Sequence, residues 1–352
     1  MGGRPLEPKP VLAPLSYLYA LGAGFKNILF DWGVRSSQRL PVPVVSVGGL
    51  GAGGVGKTPF VLWLLGRLRE KGVPVGVLAR GYGRRAGQAL NDEGMLLARR
   101  FPGLPQVQDP DRVAGGRRLL REHPDLALVL LDDGFQHRRL ARDLDLLCLD
   151  GEHPFGNGLC LPAGWLREPA RGLRRADYLI ATSPAPLPGV AQASFRHQTA
   201  QKGADRKGTP IVFASTRPVS WVQVPGGRIF GVDSIEGQAF WLLAGIARPE
   251  RFETLVRTLG GRVLGTTWLR DHAVIPHKLL AELSQKAVAR GGQLLLTEKD
   301  EARLALDRPV AEPKNGCPSY CVLRVEACPE GDGAEDLLAR IFGLVSQTWG
   351  KG

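Results

Sequence analysis

Short apolar runs recur along the first half of the chain. Val42–Val47, Val73–Ala79, Leu126–Leu131, Leu144–Leu149 and Tyr178–Ala181 are five such runs. Their near-continuous apolar character predicts strands buried on both faces. Segments of helical character separate them. One spans Lys57–Lys71; another spans Asp111–Glu122, with Asp109 and Pro110 at its start. Strands alternating with helices predict an α/β fold with a doubly wound parallel sheet. Residues 184 to about 210 are rich in Pro, Ala and Gln and weakly periodic, which predicts a boundary. Beyond it, Ile211–Ser215, Val222–Val224, Trp241–Ala244, Gln293–Leu296 and Tyr320–Val325 read as strands. Pro249–Leu259, Lys278–Ala289 and Ala334–Thr348 read as helices. The expected organisation is an N-terminal helical segment over 1–35, an α/β domain over 36–210 and a smaller α/β domain over 211–352.

The N-terminal segment carries an apolar stretch, Val11–Phe25, with Tyr17 and Tyr19 inside it and Lys26 after it. It falls short of the roughly 18–20 residues that span a bilayer. Pro5, Glu7, Pro8 and Pro10 precede it, unlike a signal peptide. Two readings fit its pattern: a helix lying in a membrane interface, or an amphipathic helix buried in the fold.

Composition narrows the partners. The 352 residues include 46 Lys and Arg against 34 Asp and Glu, a net charge of +12. That favours an anionic partner, whether nucleic acid, a membrane surface or a phosphorylated substrate. No helix-turn-helix, RNA-binding signature or basic–aromatic interleaving supports nucleic acid. Five cysteines at irregular spacing (Cys148, Cys160, Cys317, Cys321 and Cys328) argue against a disulfide framework and for a reducing compartment. They include no CxxC pair to suggest a metal site.

The strongest local signal is Gly51-Ala52-Gly53-Gly54-Val55-Gly56-Lys57-Thr58. It fits GxxxxGK[ST] and sits between an expected strand and an expected helix, the context this motif needs. Glycines there let successive N–H groups wrap phosphate oxygens, and the helix N-terminus adds partial positive charge. Lys57 would neutralise the β- and γ-phosphates, and the Thr58 hydroxyl could ligate Mg²⁺. The apolar run ending in Asp132-Asp133 is the expected acidic partner, with one carboxylate near Mg²⁺ and the choice between them open. These features imply ATP and Mg²⁺ but name no acceptor. The loop also resembles partitioning-type ATPases, whose additional early lysine is missing from Leu50-Gly51-Ala52. A membrane-bound ATPase switch without a lipid acceptor is the alternative.

Further motifs together resemble the tetraacyldisaccharide 4′-kinase family. They are Arg80-Gly81-Tyr82-Gly83, Asp132-Asp133-Gly134-Phe135-Gln136-His137, Phe155-Gly156-Asn157-Gly158, Leu161-Pro162-Ala163-Gly164 followed by Leu166-Arg167-Glu168, Arg270-Asp271-His272 and Thr297-Glu298-Lys299-Asp300. The resemblance covers roughly residues 10–345. It departs at Gly49, where the family usually has Asn, at Asn91-Asp92-Glu93-Gly94 in place of GDEP, at Ala273, and in a shortened stretch between Gly83 and Asp92. It implies transfer of the γ-phosphate of ATP to the 4′-hydroxyl of an acylated glucosamine disaccharide 1-phosphate. By position, Asp92 matches the base and His272 its partner. Arg80, Tyr82, Glu93, His137, Arg167 and Asp271 fall near substrate or behind it. Glu168 either assists the metal or pairs with a neighbouring arginine. An acylated substrate turns the reading of Val11–Phe25 toward the interfacial helix. The expected enzyme is peripheral on the cytoplasmic face of the inner membrane, bound to an anionic surface, with a monomer favoured.

Overall fold

The structure, a computed structural model, describes residues 10–84, 88–204, 208–271, 273–306 and 319–349. The described chain divides into two units. The larger takes residues up to Tyr82, Pro102–Thr216 and the chain from Ala327; the smaller takes Gly83–Phe101 and Arg217–Glu326.

The larger unit opens with helix α1 (Ala13–Asp31). Its strands are β1 (Val44–Gly49), β2 (Val75–Ala79), β3 (Gln106–Gln108), β4 (Leu128–Asp132), β5 (Leu144–Asp150), β6 (Tyr178–Ser183) and the first part of β7 (Ile211–Val224). They pair in the order β7-β6-β5-β1-β4-β2-β3, parallel throughout. Every residue of β1, β5 and β6 is buried, as their apolar runs require. Helix α2 (Lys57–Glu70) follows β1 and buries Phe60, Val61, Leu64, Leu65 and Leu68. Helix α4 (Arg112–Glu122) starts on Asp111, whose carboxylate accepts from the Val113 and Ala114 N–H groups. Helix α5 (Gly189–Gln201) and the closing helix α9 (Gly333–Trp349) complete this unit.

The register of β1 against β4 pairs Val47 with Asp132. The loop after β1 and the acids after β4 therefore emerge side by side at one edge. Carboxyl ends of adjacent parallel strands are where open α/β sheets bind ligands.

The smaller unit has its own parallel set, β10 (Arg262–Trp268), β9 (Ala239–Ala244), β11 (Gln293–Thr297) and β12 (Tyr320–Glu330), in that order. The far part of β7 pairs antiparallel with β8 (Arg228–Gly231). Helices α3 (Asp92–Arg100), α6 (Pro249–Thr258), α7 (His277–Ala289) and α8 (Glu298–Leu306) belong here.

The chain thus changes units more often than the single boundary at 210/211 expected from sequence. Helix α3 lies in the first half of the chain yet packs on α8 of the smaller unit. α9 belongs with the larger unit, where its Asp336 accepts from the Tyr178 hydroxyl at 2.5 Å. Three helices escaped the sequence reading, among them α8, where only the motif Thr297-Glu298-Lys299-Asp300 was marked. α3 is short and carries Gly94 in its first turn, and α5 carries Ser, Gln and His around only two buried residues.

Candidate functional site

The glycine-rich loop leaves β1 and enters α2 through Gly56, which has a left-handed backbone (φ 74°). A Cβ there would stand 2.9 Å from the Thr182 Cβ, so glycine is required twice over. The Thr182 hydroxyl bonds the Val55 carbonyl and also lies 3.0 Å from the Leu149 carbonyl, tying the loop to β5 and β6. From the other side, Ala52 N–H donates to the Trp165 carbonyl at 2.7 Å, and Arg167 N–H donates to the Leu50 carbonyl at 2.7 Å. The Leu161–Glu168 stretch is thereby a wall of the loop.

Lys57, the first residue of α2, donates to Asp133 Oδ1 at 2.5 Å. Arg167 donates to the other oxygen of the same carboxylate at 2.5 Å. Asp133 has a positive φ of 52°, uncommon for a residue with a side chain, and its N–H bonds the Val47 carbonyl. Burial alone would raise its pKa. The charges and hydrogen bonds of Lys57 and Arg167 overcome that and hold it at about 2. Asp132 and Asp133 follow one strand but stand differently, since both oxygens of Asp133 are already bonded to cations.

Glu168 is also committed. It is 2 % exposed, and Arg175 donates to both its oxygens, at 2.9 and 2.8 Å. Gln136 adds a bond at 3.0 Å and Asn27 one at 2.8 Å. Of the two expectations for Glu168, the arrangement takes the arginine pair. Gln136 also donates to the Gly49 carbonyl at 2.8 Å, so this cluster braces the start of the loop.

His137 is partly buried, and its Nε2 has no hydrogen-bond partner among the described residues. Burial, with the charges of Arg112 and Lys26, pulls its pKa down to about 4, so the ring is neutral at pH 7. Arg112, which the sequence reading missed, is buried and donates to the Asp109 and Pro110 carbonyls. Burial lowers its pKa, Arg80 lowers it further, and Asp133 and Asp132 oppose the change. Lys26 donates to the Gln136 carbonyl at 3.1 Å. Arg80, Arg112, Lys26 and Arg167 thus place positive charge around the strand ends, a setting for phosphate groups. Tyr82 is exposed.

Asp92, Glu93 and Asp271 belong to the smaller unit. Asp92 is the first residue of α3, after the cap Asn91, which accepts from Gly94 N–H. Its Oδ2 accepts from Arg303 at 3.1 Å, and Glu93 pairs with Lys299 at 3.4 Å. Asp271 lies exposed in a turn, and His272 lies outside the described residues.

The residues present fit MgATP. The loop offers backbone N–H groups, a lysine and a threonine at a helix N-terminus, with an acid adjacent. No cluster of three or more His, Cys, Asp or Glu able to hold a metal exists among the described residues. Mg²⁺ keeps several waters and takes one or two protein ligands beside the phosphates, and Thr58 with the acid at the end of β4 offers ligands of that kind.

Comparison with known proteins gives the family. The chain matches the LpxK family, described as tetraacyldisaccharide-1-P 4′-kinase, over residues 8–342. A tetraacyldisaccharide 4′-kinase of Syntrophus aciditrophicus is 34% identical over 90% of this chain and 88% of its own length. One of an Anaeromyxobacter species is 37% identical over 90% and 87%. The LpxK of Aquifex aeolicus, solved in complex with ATP, superposes with a TM-score of 0.72 at 28% identity, covering 96% of this chain and 99% of that one.

Proposed function

The chain belongs to the tetraacyldisaccharide-1-phosphate 4′-kinase family, and from that premise we propose how its residues serve the reaction. It is an ATP-dependent kinase that moves the γ-phosphate to the 4′-hydroxyl of a tetraacylated glucosamine disaccharide 1-phosphate. The observation that carries this reading is the Lys57–Asp133–Arg167 chain at the mouth of the glycine loop, beside Asp132.

Phosphoryl transfer needs positioning and charge neutralisation more than covalent help. The N–H groups of Gly51, Gly53, Gly54, Val55 and Gly56 wrap the triphosphate. Lys57 exchanges Asp133 for phosphate oxygens, and Arg167 stays beside the developing charge. Thr58 and Asp132 would hold Mg²⁺, which would supply neutralising positive charge to the phosphates. Asp133, with both oxygens engaged, serves as the lysine's partner, and Glu168 braces the loop.

A sugar hydroxyl is a weak nucleophile, and a carboxylate that takes its proton lowers the barrier. Asp92 is that base and His272 its partner. Arg80, Arg112, Lys26 and the neutral His137 receive the anionic, hydroxyl-rich acceptor. By the family's motifs, Tyr82, Glu93 and Asp271 are further candidates for contact with the acceptor.

Helix α1 brings the enzyme to its substrate. Ser16, Gly24 and Phe30 on one side are buried. Ser16 Oγ accepts from Ala163 N–H at 2.8 Å, and Asp31 pairs with Arg138 at 2.7 Å. Leu15, Tyr17, Leu18, Leu21 and Phe25 are exposed. No described helix is long and apolar enough to cross a membrane. An apolar stripe on a chain of net charge +12 suits peripheral binding to anionic lipid, here the cytoplasmic face of the inner membrane.

Release of ADP tests the reading. ADP production from MgATP should depend on added tetraacyldisaccharide 1-phosphate, in one-to-one ratio with phosphorylated lipid. Equal ADP release without lipid would favour an ATPase switch.

A further inference from the structure

The motif Thr297-Glu298-Lys299-Asp300 opens α8, and the roles above give it no task. Glu298 and Lys299 of the motif pair with α3. Four ion pairs join the two helices: Arg99–Glu301 at 2.7 Å, Arg100–Glu298 at 3.6 Å, Lys299–Glu93 at 3.4 Å and Arg303–Asp92 at 3.1 Å. The last is the most buried, with the Arg303 side chain 3% exposed and that of Asp92 10%.

Behind Arg303 stands a fully buried carboxylate, Asp300. Its Oδ1 accepts from Gly245 N–H at 2.9 Å and from Arg303 Nη1 at 3.0 Å, and its Oδ2 from the Thr297 hydroxyl at 2.5 Å. Arg303 Nη1 also donates to the Gly245 carbonyl at 2.7 Å, and Nε donates to Asp92. A Cβ on residue 245 would meet Arg303 Nη1 at 2.9 Å, so glycine there permits the seat. One guanidinium is held between two carboxylates through Nε and Nη1, while its buried Nη2 has no hydrogen-bond partner among the described residues.

An almost buried carboxylate without a cation takes up a proton. A protonated Asp92 could not accept the hydroxyl's proton. Arginine is the one cation that cannot relieve the conflict by losing its own proton. We propose that Arg303, seated on Asp300 and the Gly245 turn, is a positioning residue for phosphoryl transfer: it keeps Asp92 ionised and fixes the direction of its carboxylate. The late motif then serves the base through the chain Thr297–Asp300–Arg303–Asp92. This rests on Asp92 being the base.

The other charged groups around the pair are Glu93, Arg99 and Arg100 on α3, Glu298, Lys299 and Glu301 on α8, and Arg324 and Glu326 on β12, which pair with Glu298 and Arg100; the Gly245 turn contributes main-chain groups. Burial also raises the pKa of Glu298 and Asp300, so controls must separate them.

The test is the pH profile of kcat in the full-length enzyme with MgATP and tetraacyldisaccharide 1-phosphate. A carboxylate that loses a neighbouring cation titrates at higher pH. In Arg303→Gln the acid limb should move up by about one pH unit or more, with kcat at pH 7 down roughly tenfold or more. The KM for ATP should stay within about twofold, since the nucleotide loop is elsewhere. Arg303→Lys should keep the limb near its wild-type position, and Glu298→Gln should leave it there. Asp92→Asn should be inactive at every pH. A uniformly reduced but unshifted profile in Arg303→Gln, with Asp92→Asn inactive, overturns the proposal and leaves the base in place. An active Asp92→Asn overturns both. If Arg303→Gln fails to fold, Asp300→Asn decides: an unshifted limb there overturns the proposal.

Discussion

At the residue scale, the loop's geometry makes sharp demands. Gly56→Ala adds a methyl at a left-handed position, 2.9 Å from the Thr182 Cβ. Positive φ costs an L-residue about 1–2 kcal/mol before the clash is counted. Affinity for ATP, measured by titration calorimetry, should fall at least tenfold, and unchanged affinity would mean that the loop relaxes freely. Titration of single residues sets the acid response. Asp133 is held at about 2, below its unfolded value, so its contribution to stability is present above pH 4 and is lost as pH falls toward 2. His137 is held at about 4, also below its unfolded value. The unfolded chain therefore takes up more protons between about pH 6.5 and 4, and stability falls as pH drops through that window. His137→Gln should flatten Tm against pH over that window, while a curve parallel to wild type would contradict the assignment of a neutral buried ring. The two acids 132 and 133 show how far residues could be read from sequence. Both follow the same apolar strand, so spacing could not divide their tasks. What sets Asp133 apart is its positive φ and its bonds to two cations far away in the chain, and the proposed division of tasks rests on these.

At the element scale, the strands and the helix after the glycine loop were legible because long apolar runs tolerate few alternatives. Helix α3 was not. Asn91-Asp92-Glu93-Gly94 reads as a turn until Asn91 is seen to cap a helix and α8 to supply four ion pairs. Glu168 was half legible. Its buried position requires a partner, and Arg175, at the end of the following 3-10 helix, provides it. Removing one member of a buried pair strands the other charge, typically at about 3 kcal/mol. Glu168→Gln should show that loss in urea unfolding, with the Mg²⁺ requirement of the folded enzyme unchanged. A raised Mg²⁺ requirement without lost stability would return Glu168 to the metal. Helix α1 divides its work by face. The Leu18→Glu, Leu21→Glu double variant should float poorly with anionic vesicles while Tm stays near wild type, because exposed positions carry little packing energy. Equal flotation would remove the helix from membrane binding.

At the scale of the whole molecule, charge and chain path matter most. A net charge of +12 should make vesicle binding fall as salt rises, since exposed charges are screened beyond about 10 Å at 0.1 M. The chain path was the least legible feature. Sequence suggests a linear order of domains, but α3 joins the smaller unit and α9 the larger, and only pairing partners reveal that. The consequence is functional: the nucleotide loop resides in the larger unit and the proposed base, Asp92, in the smaller. The most direct test is mass-spectrometric analysis of lipid products formed with MgATP from tetraacyldisaccharide 1-phosphate. Wild type should add a single phosphate at the 4′ position, and Lys57→Ala, Asp92→Ala and His272→Ala should each lose most of that product. Absence of 4′-phosphorylated lipid from folded, ATP-binding wild-type enzyme would contradict the account.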